Sequence, residues 1–202
     1  ISKPQLFIRK LICLFSDYFI ASSTETKEAQ IKYGADKNKI YISYLTIDVE
    51  TFINNLEYLK KKTYDIPRIL FCGYLLKLKG IVNLIDALKD IKTGFILDII
   101  GSGEEEQNLR DLVRKYFLED KVIFHGYKNR DEIVKFYKNS DIFVFPSLND
   151  AFGLVLVEAL ASKLPLIASK YAGGARDTVV ENENGYIIDP DDTVRFGEKI
   201  EL

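Results

Sequence analysis

Cysteine, histidine and long apolar runs are all scarce in this chain. Its 202 residues include two cysteines, Cys13 and Cys72, and one histidine, His125. A structural zinc site takes four ligands, commonly cysteine or histidine. That set is missing, so no metal is expected. The cysteines form no CxxC and have apolar neighbours, which reads as two reduced core thiols of a cytosolic protein. A basic surplus is absent too. The net charge is −2, so nucleic acid is not an expected partner. The local run Lys60-Lys61-Lys62 reads as a solvated helix end. The greasiest segment, residues 5–20 (QLFIRKLICLFSDYFI), is interrupted by Arg9, Lys10 and Asp17. It is too short and too charged to span a bilayer, and it lacks the small-residue cleavage site of a signal peptide.

What remains is an ordinary globular composition, 47% hydrophobic and 29% charged, with enough length for one sizeable core or two very small ones. The chain opens at Ile1 and closes at Glu201-Leu202 within a helical pattern. The expectation is a piece of a larger protein.

From about residue 66, strand and helix patterns alternate. Residues 68–72 (RILFC) are a short apolar run bounded by Pro67 and Gly73, a buried strand. Similar runs predict strands at 95–100, 121–125, 141–145, 166–168 and 186–188. Helices are predicted at 80–91, where Ile81, Leu84, Ile85 and Leu88 share a face, and at 104–117, 131–138 and 152–162. A shorter unit follows at 173–180. Apolar strands separated by helices imply right-handed βαβ units and a parallel sheet covered on both faces. The expected fold is α/β, a doubly wound Rossmann-like sheet. Upstream, 17–21 and 39–42 read as strands and 24–33 as a helix with Gly34 at its C′ position. Residues 44–52 read as a loop.

In such a sheet, ligands bind beyond the carboxyl ends of the strands, so the βα loops carry the candidates. Gly73 follows a strand and lets a ligand approach the backbone. Lys77 and Lys79 precede a helix start, where a phosphate gains N–H groups and positive charge. A plain turn with solvated lysines is the alternative. Gly101-Ser102-Gly103 resembles the opening of GxGxxG, but position 106 is Glu106, the last of three glutamates directly after Gly103. A dinucleotide site is therefore rejected. Gly173-Gly174 presents N–H groups to a diphosphate or sugar oxygen, or is a simple helix-start turn. His125 reads as a packed or hydrogen-bonded histidine. Asp150 and Glu158 stand eight positions apart around Phe152-Gly153. Spacing by itself favours a helix cap and a surface acid. A carboxylate in so apolar a helix is costly unless hydrogen-bonded, so Glu158 accepting two ribose hydroxyls is the other reading.

The ordered set of loops changes that balance. PSLNDAFGLVLVEALASKLPLIAS followed by GGARDTVVENENGYIIDPDD resembles the family-4 retaining glycosyltransferases of GT-B fold, which carry an acid–seven–acid motif in the C-terminal, nucleotide-sugar-binding domain. ILFCGYLLKLKGIVNLIDAL is similar to that family's Gly-Arg…Lys-Gly loop. GSGEEEQNLRDL, KVIFHGY and FYKNSDIFVFPS follow in family order, and SDYFIASSTETKEAQIKYG with ISYLTIDVETF resembles the interdomain crossing segment. The resemblance implies that Lys79 binds the donor diphosphate, with Gly73 giving backbone access. Glu158 takes the ribose hydroxyls. Asp150 and the backbone of Ala151, Phe152, Gly153 and Leu154 hold the sugar. Gly126, Tyr127 and Lys128 edge the base. Three positions depart from the family pattern. Tyr74 stands where arginine is usual, with Lys77 or Arg176 as substitute cations. Asp150 replaces glutamate, and Lys163 replaces a glycine near the helix end, a strain if that position is left-handed.

Residues 1–202 thus read as the donor half of a GT-B enzyme, with the crossing segment within 1–50. The donor is a UDP-, GDP- or ADP-sugar, and no separate cofactor is implied. The acceptor, a glycan or lipid-linked sugar, belongs to an N-terminal domain outside this sequence, and the chain alone is expected to transfer little. A non-catalytic nucleotide-sugar-binding module and a GT-B epimerase are the rival readings. The resemblance implies a cytoplasmic protein. The greasy start either packs on the other domain or touches the inner membrane face peripherally.

Overall fold

The computed structural model describes residues 3–57 and 64–201; the Lys60-Lys61-Lys62 run lies outside the described residues. The chain divides into two compact units, one ending at Thr46 and one beginning at Ile47.

The first unit holds α1 (Lys3–Phe15), β1 (Phe19–Ala21), α2 (Thr24–Lys32) and β2 (Ile40–Ile42), with β1 and β2 paired in parallel. The Ser23 side chain caps α2 by accepting the Thr26 N–H at 3.0 Å. Gly34 follows the C-cap at φ 103°, as a C′ glycine should. Among the described residues, its buried apolar side chains are only Ala21, Ala35 and Ile40. On α1, Phe7, Ile8, Ile12, Leu14 and Phe15 are all more than half exposed. No helix among the described residues is long and apolar enough to cross a membrane.

The second unit is a six-stranded sheet, β3 (Arg68–Cys72), β4 (Ile96–Ile100), β5 (Val122–Gly126), β6 (Ile142–Phe145), β7 (Leu166–Ser169) and β8 (Gly185–Ile188), in the order β5-β4-β3-β6-β7-β8. Every neighbouring pair is parallel. Two apolar cores cover its faces. Helices α4 (Ile81–Leu88), α5 (Glu106–Lys115) and α9 (Thr193–Ile200) pack on one face, around Phe71, Leu84, Ile85, Leu109 and Phe196. Helices α3 (Val49–Glu57), α6 (Arg130–Asn139), α7 (Leu154–Ala161) and the short α8 (Ala175–Thr178) pack on the other, around Phe52, Leu70, Tyr137, Phe143 and Leu156. Each fully buried aliphatic or aromatic side chain contributes roughly 2 kcal/mol. This is the doubly wound architecture that the alternating pattern predicts.

The expectation of a loop over residues 44–52 fails in its second half, because α3 begins at Val49. Phe52 and Leu56, one turn apart, are buried against the second core. The segment read out to residue 52 showed only one of that pair, and tertiary burial supplies the helix. Lys163 does adopt the left-handed region, φ 60°, where most chains would place glycine.

Candidate functional site

The strand order reverses between β3 and β6. At such a switch point the loops diverge and leave a crevice beyond the carboxyl ends of the strands. Each bordering loop delivers one candidate residue. After β3, residues Lys77–Lys79 make a single 3-10 turn before α4. After β6, Ser147 is fully buried, and its Oγ donates to the Leu78 carbonyl at 3.1 Å. The Leu148 N–H donates to the same carbonyl at 2.8 Å. These bonds fasten the two loops together. Across them Lys79 Nζ meets Asp150 Oδ2 at 2.5 Å, with 20% and 18% of the two side chains exposed. The other Asp150 oxygen, Oδ1, accepts the Phe152 N–H at 3.1 Å. Asp150 is therefore fixed through both oxygens. The N-cap of α7 is Gly153, which offers no side-chain cap, so the sequence placement of Asp150 belongs to the loop and not to the cap.

Glu158 lies on α7, half-buried. Tyr137 Oη, on α6, donates to Glu158 Oε2 at 2.8 Å. Tyr137 is fully buried, held edge-on by Phe52 at 5.7 Å and tilted against Phe143 at 5.6 Å. Cys72, at the end of β3, belongs to the same group. Burial, and then the Glu158 charge, push its thiol up to about 12, while the Tyr137 hydroxyl works in the opposite direction. Burial raises the Glu158 carboxyl above its ordinary value, and both the Tyr137 hydrogen bond and the Arg130 charge oppose that rise. A surface acid would show neither effect. The reading of Glu158 as a solvent-facing carboxylate is thereby corrected.

A third feature opens beyond β3, β4 and β5. Gly73, Tyr74, Gly101, Ser102, Tyr127 and Lys128 line an apolar slot of about 140 Å³. Tyr74 and Tyr127 are 69% and 74% exposed. Gly101 has a structural task here, since a Cβ on it would sit 1.9 Å from the Gly73 carbonyl oxygen. A larger hollow of about 520 Å³ lies at the opposite sheet edge, among Pro67, Phe95, Pro165 and Asn184. Parallel sheets place ligands beyond their carboxyl ends, so the smaller slot is the relevant one.

The structure brings together most, but not all, of the residues that sequence reasoning selected. Lys79 and Asp150 pair directly. Gly73, Tyr74, Gly126, Tyr127 and Lys128 gather at the slot or its rim. Ala151, Phe152, Gly153 and Leu154 lead into α7, with the Phe152 ring buried and only its backbone at the loop. Lys77 is exposed on the turn that carries Lys79. Gly173 and Gly174 do not present their N–H groups to a ligand. Those groups donate to the Asp150 and Phe152 carbonyls, each at 2.9 Å, and a Cβ on Gly173 would lie 2.3 Å from the Ala151 oxygen. They lock the site loop in place instead.

His125 is the packed histidine expected of it. Its Nε2 lies 2.7 Å from Asp98 Oδ1, and Arg68 grips the same carboxylate at 2.6 and 2.8 Å. Sequence reasoning passed over Asp98 and Tyr137. A charge within an apolar strand and a hydroxyl on a buried helix face both demand partners, and that demand is legible before the partner is.

Three comparisons bear on this site. Residues 55–202 match the model of the family described as glycosyl transferases group 1. Over 198 residues the chain is 29% identical to a D-inositol 3-phosphate glycosyltransferase of Xylanimonas cellulosilytica, covering 91% of this chain and 47% of that protein. Over 173 residues it is 32% identical to the capsular polysaccharide biosynthesis glycosyltransferase CapM of Staphylococcus aureus, covering 84% and 41%. Among solved structures, Anabaena HepE in complex with UDP and glucose superimposes with a TM-score of 0.80 at 25% identity, covering all of this chain and 57% of the other. The chain spans about half the length of the curated relatives it matches. With the matched segment covering the whole six-stranded sheet and its loops, the chain belongs to the glycosyl transferases group 1 family.

Proposed function

We propose that this chain is the donor-binding half of a retaining, family-4 type glycosyltransferase that uses a nucleoside-diphosphate sugar. The observation that carries the reading is the meeting of Lys79 and Asp150 across the β3–β6 switch point, with Glu158 on the helix that leaves the same loop. A lysine ammonium has three donors and no acceptor. Lys79 can therefore hold Asp150 with one N–H and direct another at a diphosphate oxygen. Glu158 accepts the ribose hydroxyls, and Asp150 a sugar hydroxyl. The slot between Tyr74 and Tyr127 takes the flat base.

In the transfer, an acceptor hydroxyl oxygen bonds to the anomeric carbon as the bond from that carbon to the diphosphate oxygen breaks. The electron pair leaves on the diphosphate, and the acceptor proton departs with it. Charge grows on the leaving oxygens, and Lys79 stabilises it there, an electrostatic role worth several kcal/mol in a preorganised site. The neighbours' ligands favour a uridine nucleotide as the first donor to test, since HepE is solved with UDP and with UDP-glucose. The acceptor, a glycan or lipid-linked sugar, is met by the remainder of the enzyme.

Calorimetric screening of UDP-, GDP- and ADP-sugars tests the reading. One nucleotide class should bind, and Glu158→Ala and Lys79→Ala should each weaken that binding about tenfold or more. Parent-like affinity in both variants rejects the site. Tyr74 favours a second reading, a nucleotide-sugar-binding module without transfer, because a phosphate-binding arginine is replaced by an exposed phenol. Turnover of UDP-glucose by the full-length polypeptide with acceptor separates the two.

A further inference from the structure

We infer that Tyr137 is a positioning residue for the nucleotide: its buried hydroxyl aims the Glu158 carboxylate at the crevice. The inference rests on the reading of Glu158 as the ribose acceptor. Its own basis is the geometry around the phenol.

Glu158 has three rotatable bonds and sits on an apolar helix, with Val155, Leu156, Val157, Ala159 and Leu160 around it. Nothing on its own element restrains the carboxylate. The restraint comes from α6. The Tyr137 ring is wedged between Phe52 and Phe143 and is wholly buried, so the position of its hydroxyl is set by core packing. That hydroxyl donates to Oε2 at 2.8 Å. A phenol has one proton to give, and Glu158 Oε2 at 2.8 Å is much the nearer acceptor, the Val155 carbonyl lying at 3.5 Å. The same contact removes one oxygen's search through rotamers and leaves Oε1 and the outer lone pairs of Oε2 for a diol. Preorganisation of this kind lowers the entropy lost on binding.

The bond also bears on charge. The groups facing Glu158 are Tyr137, the Cys72 thiol and the Arg130 guanidinium. Burial favours the protonated carboxyl, while Tyr137 and Arg130 favour the carboxylate. A protonated Glu158 has lost acceptor capacity toward a diol. Tyr137 thereby helps keep the group ionised as well as aimed. Cys72, with its thiol pushed up to about 12, stays neutral beside the Tyr137 hydroxyl.

Tyr137→Phe keeps the ring in its packing and removes only the hydroxyl. With UDP as the probe, the full chain carrying Tyr137→Phe should bind about tenfold more weakly at neutral pH, the worth of a hydrogen bond to a charged group. The pH at which binding fades on acidification should move upward, because one group opposing protonation is gone. Titrating the Glu158 side-chain carboxyl by carbon NMR, without nucleotide, should show the same upward movement. Glu158→Gln should bind weakly at every pH and lose the titration. A Tyr137→Phe chain with the parent's affinity and the parent's Glu158 titration overturns the inference and leaves the site reading intact. Unchanged UDP binding by Glu158→Gln overturns the site reading itself. If Tyr137→Phe does not fold, the parent decides: a Tyr137 hydroxyl proton protected from exchange and shifted by UDP supports the inference. One unmoved by UDP overturns it.

Discussion

The two ends of the candidate site hold their carboxylates by different physics. Asp150 is a loop acid matched by a lysine ammonium, with part of the pair exposed to solvent. Glu158 is a half-buried helix acid beside the second core, matched by a neutral phenol and facing the Arg130 charge. On the proposed reading, the first end places full opposite charges where a diphosphate would add further negative charge. The second places one charge beside apolar groups, where partial burial makes each hydrogen-bond partner count for more. A donor has the same asymmetry, with charge at its diphosphate and uncharged hydroxyls at its ribose.

This contrast can be broken most severely at the buried end. Glu158→Ala removes both acceptor oxygens and leaves the Tyr137 hydroxyl without its carboxylate. UDP affinity should fall roughly 100-fold, two charge-assisted hydrogen bonds at the usual worth, as read by calorimetry. Lys79→Ala comes next. It removes the proposed diphosphate cation but leaves Asp150 in a partly wet loop, and UDP affinity should drop about tenfold or more. The drop should shrink at high salt, where the parent's own advantage is screened. Asp150→Asn is the milder partner of that experiment. It should change UDP affinity only a few-fold while weakening the difference between UDP-glucose and UDP, because its proposed acceptor role is toward the sugar.

Glu158→Gln sharpens the comparison through pH. Burial raises the Glu158 carboxyl, so the folded chain binds that proton more tightly than the unfolded chain. Stability therefore declines as pH rises from the unfolded value, about 4.3, through the raised folded value. At neutral pH the ionised group is a net cost to folding. Glu158→Gln should raise the melting temperature at pH 7, flatten that acidic window and weaken UDP binding together. A fall in melting temperature at pH 7 would contradict the burial argument. The smallest effect belongs to neither end. Lys163 holds φ 60°, which costs a non-glycine residue about 1 kcal/mol. Lys163→Gly should stabilise the chain by no more than that in urea unfolding, since glycine adds unfolded entropy, and should leave UDP affinity unchanged.

Much of the fold was legible because its signals are local. The strands at 68–72 and 166–168 are continuous apolar runs, and the helix at 81–88 repeats its apolar residues every three or four positions. Residues 44–52 misled because α3 places Phe52 and Leu56 against α6 and α7, elements more than 70 residues away in sequence. The glycines divide in the same way. Gly73 adjoins the slot, and a Cβ on it would meet only the Phe71 ring, at 3.4 Å. Gly173 and Gly174 carry the same sequence signature, yet the fold spends their N–H groups on the neighbouring loop. Composition cannot separate those two uses, because both require only a missing side chain.

By itself, the sequence determined the alternation of strands and helices, the edge of the sheet where a ligand would lie, and the residue types able to meet a nucleotide sugar. Local periodicity and βα order are sufficient for the first two, and the family resemblance supplies the third. Only the tertiary structure decided that Lys79 pairs with Asp150 and that Tyr137 holds Glu158. Those partners are 71 and 21 residues apart, and the packing of the sheet and its covering helices is what makes them neighbours.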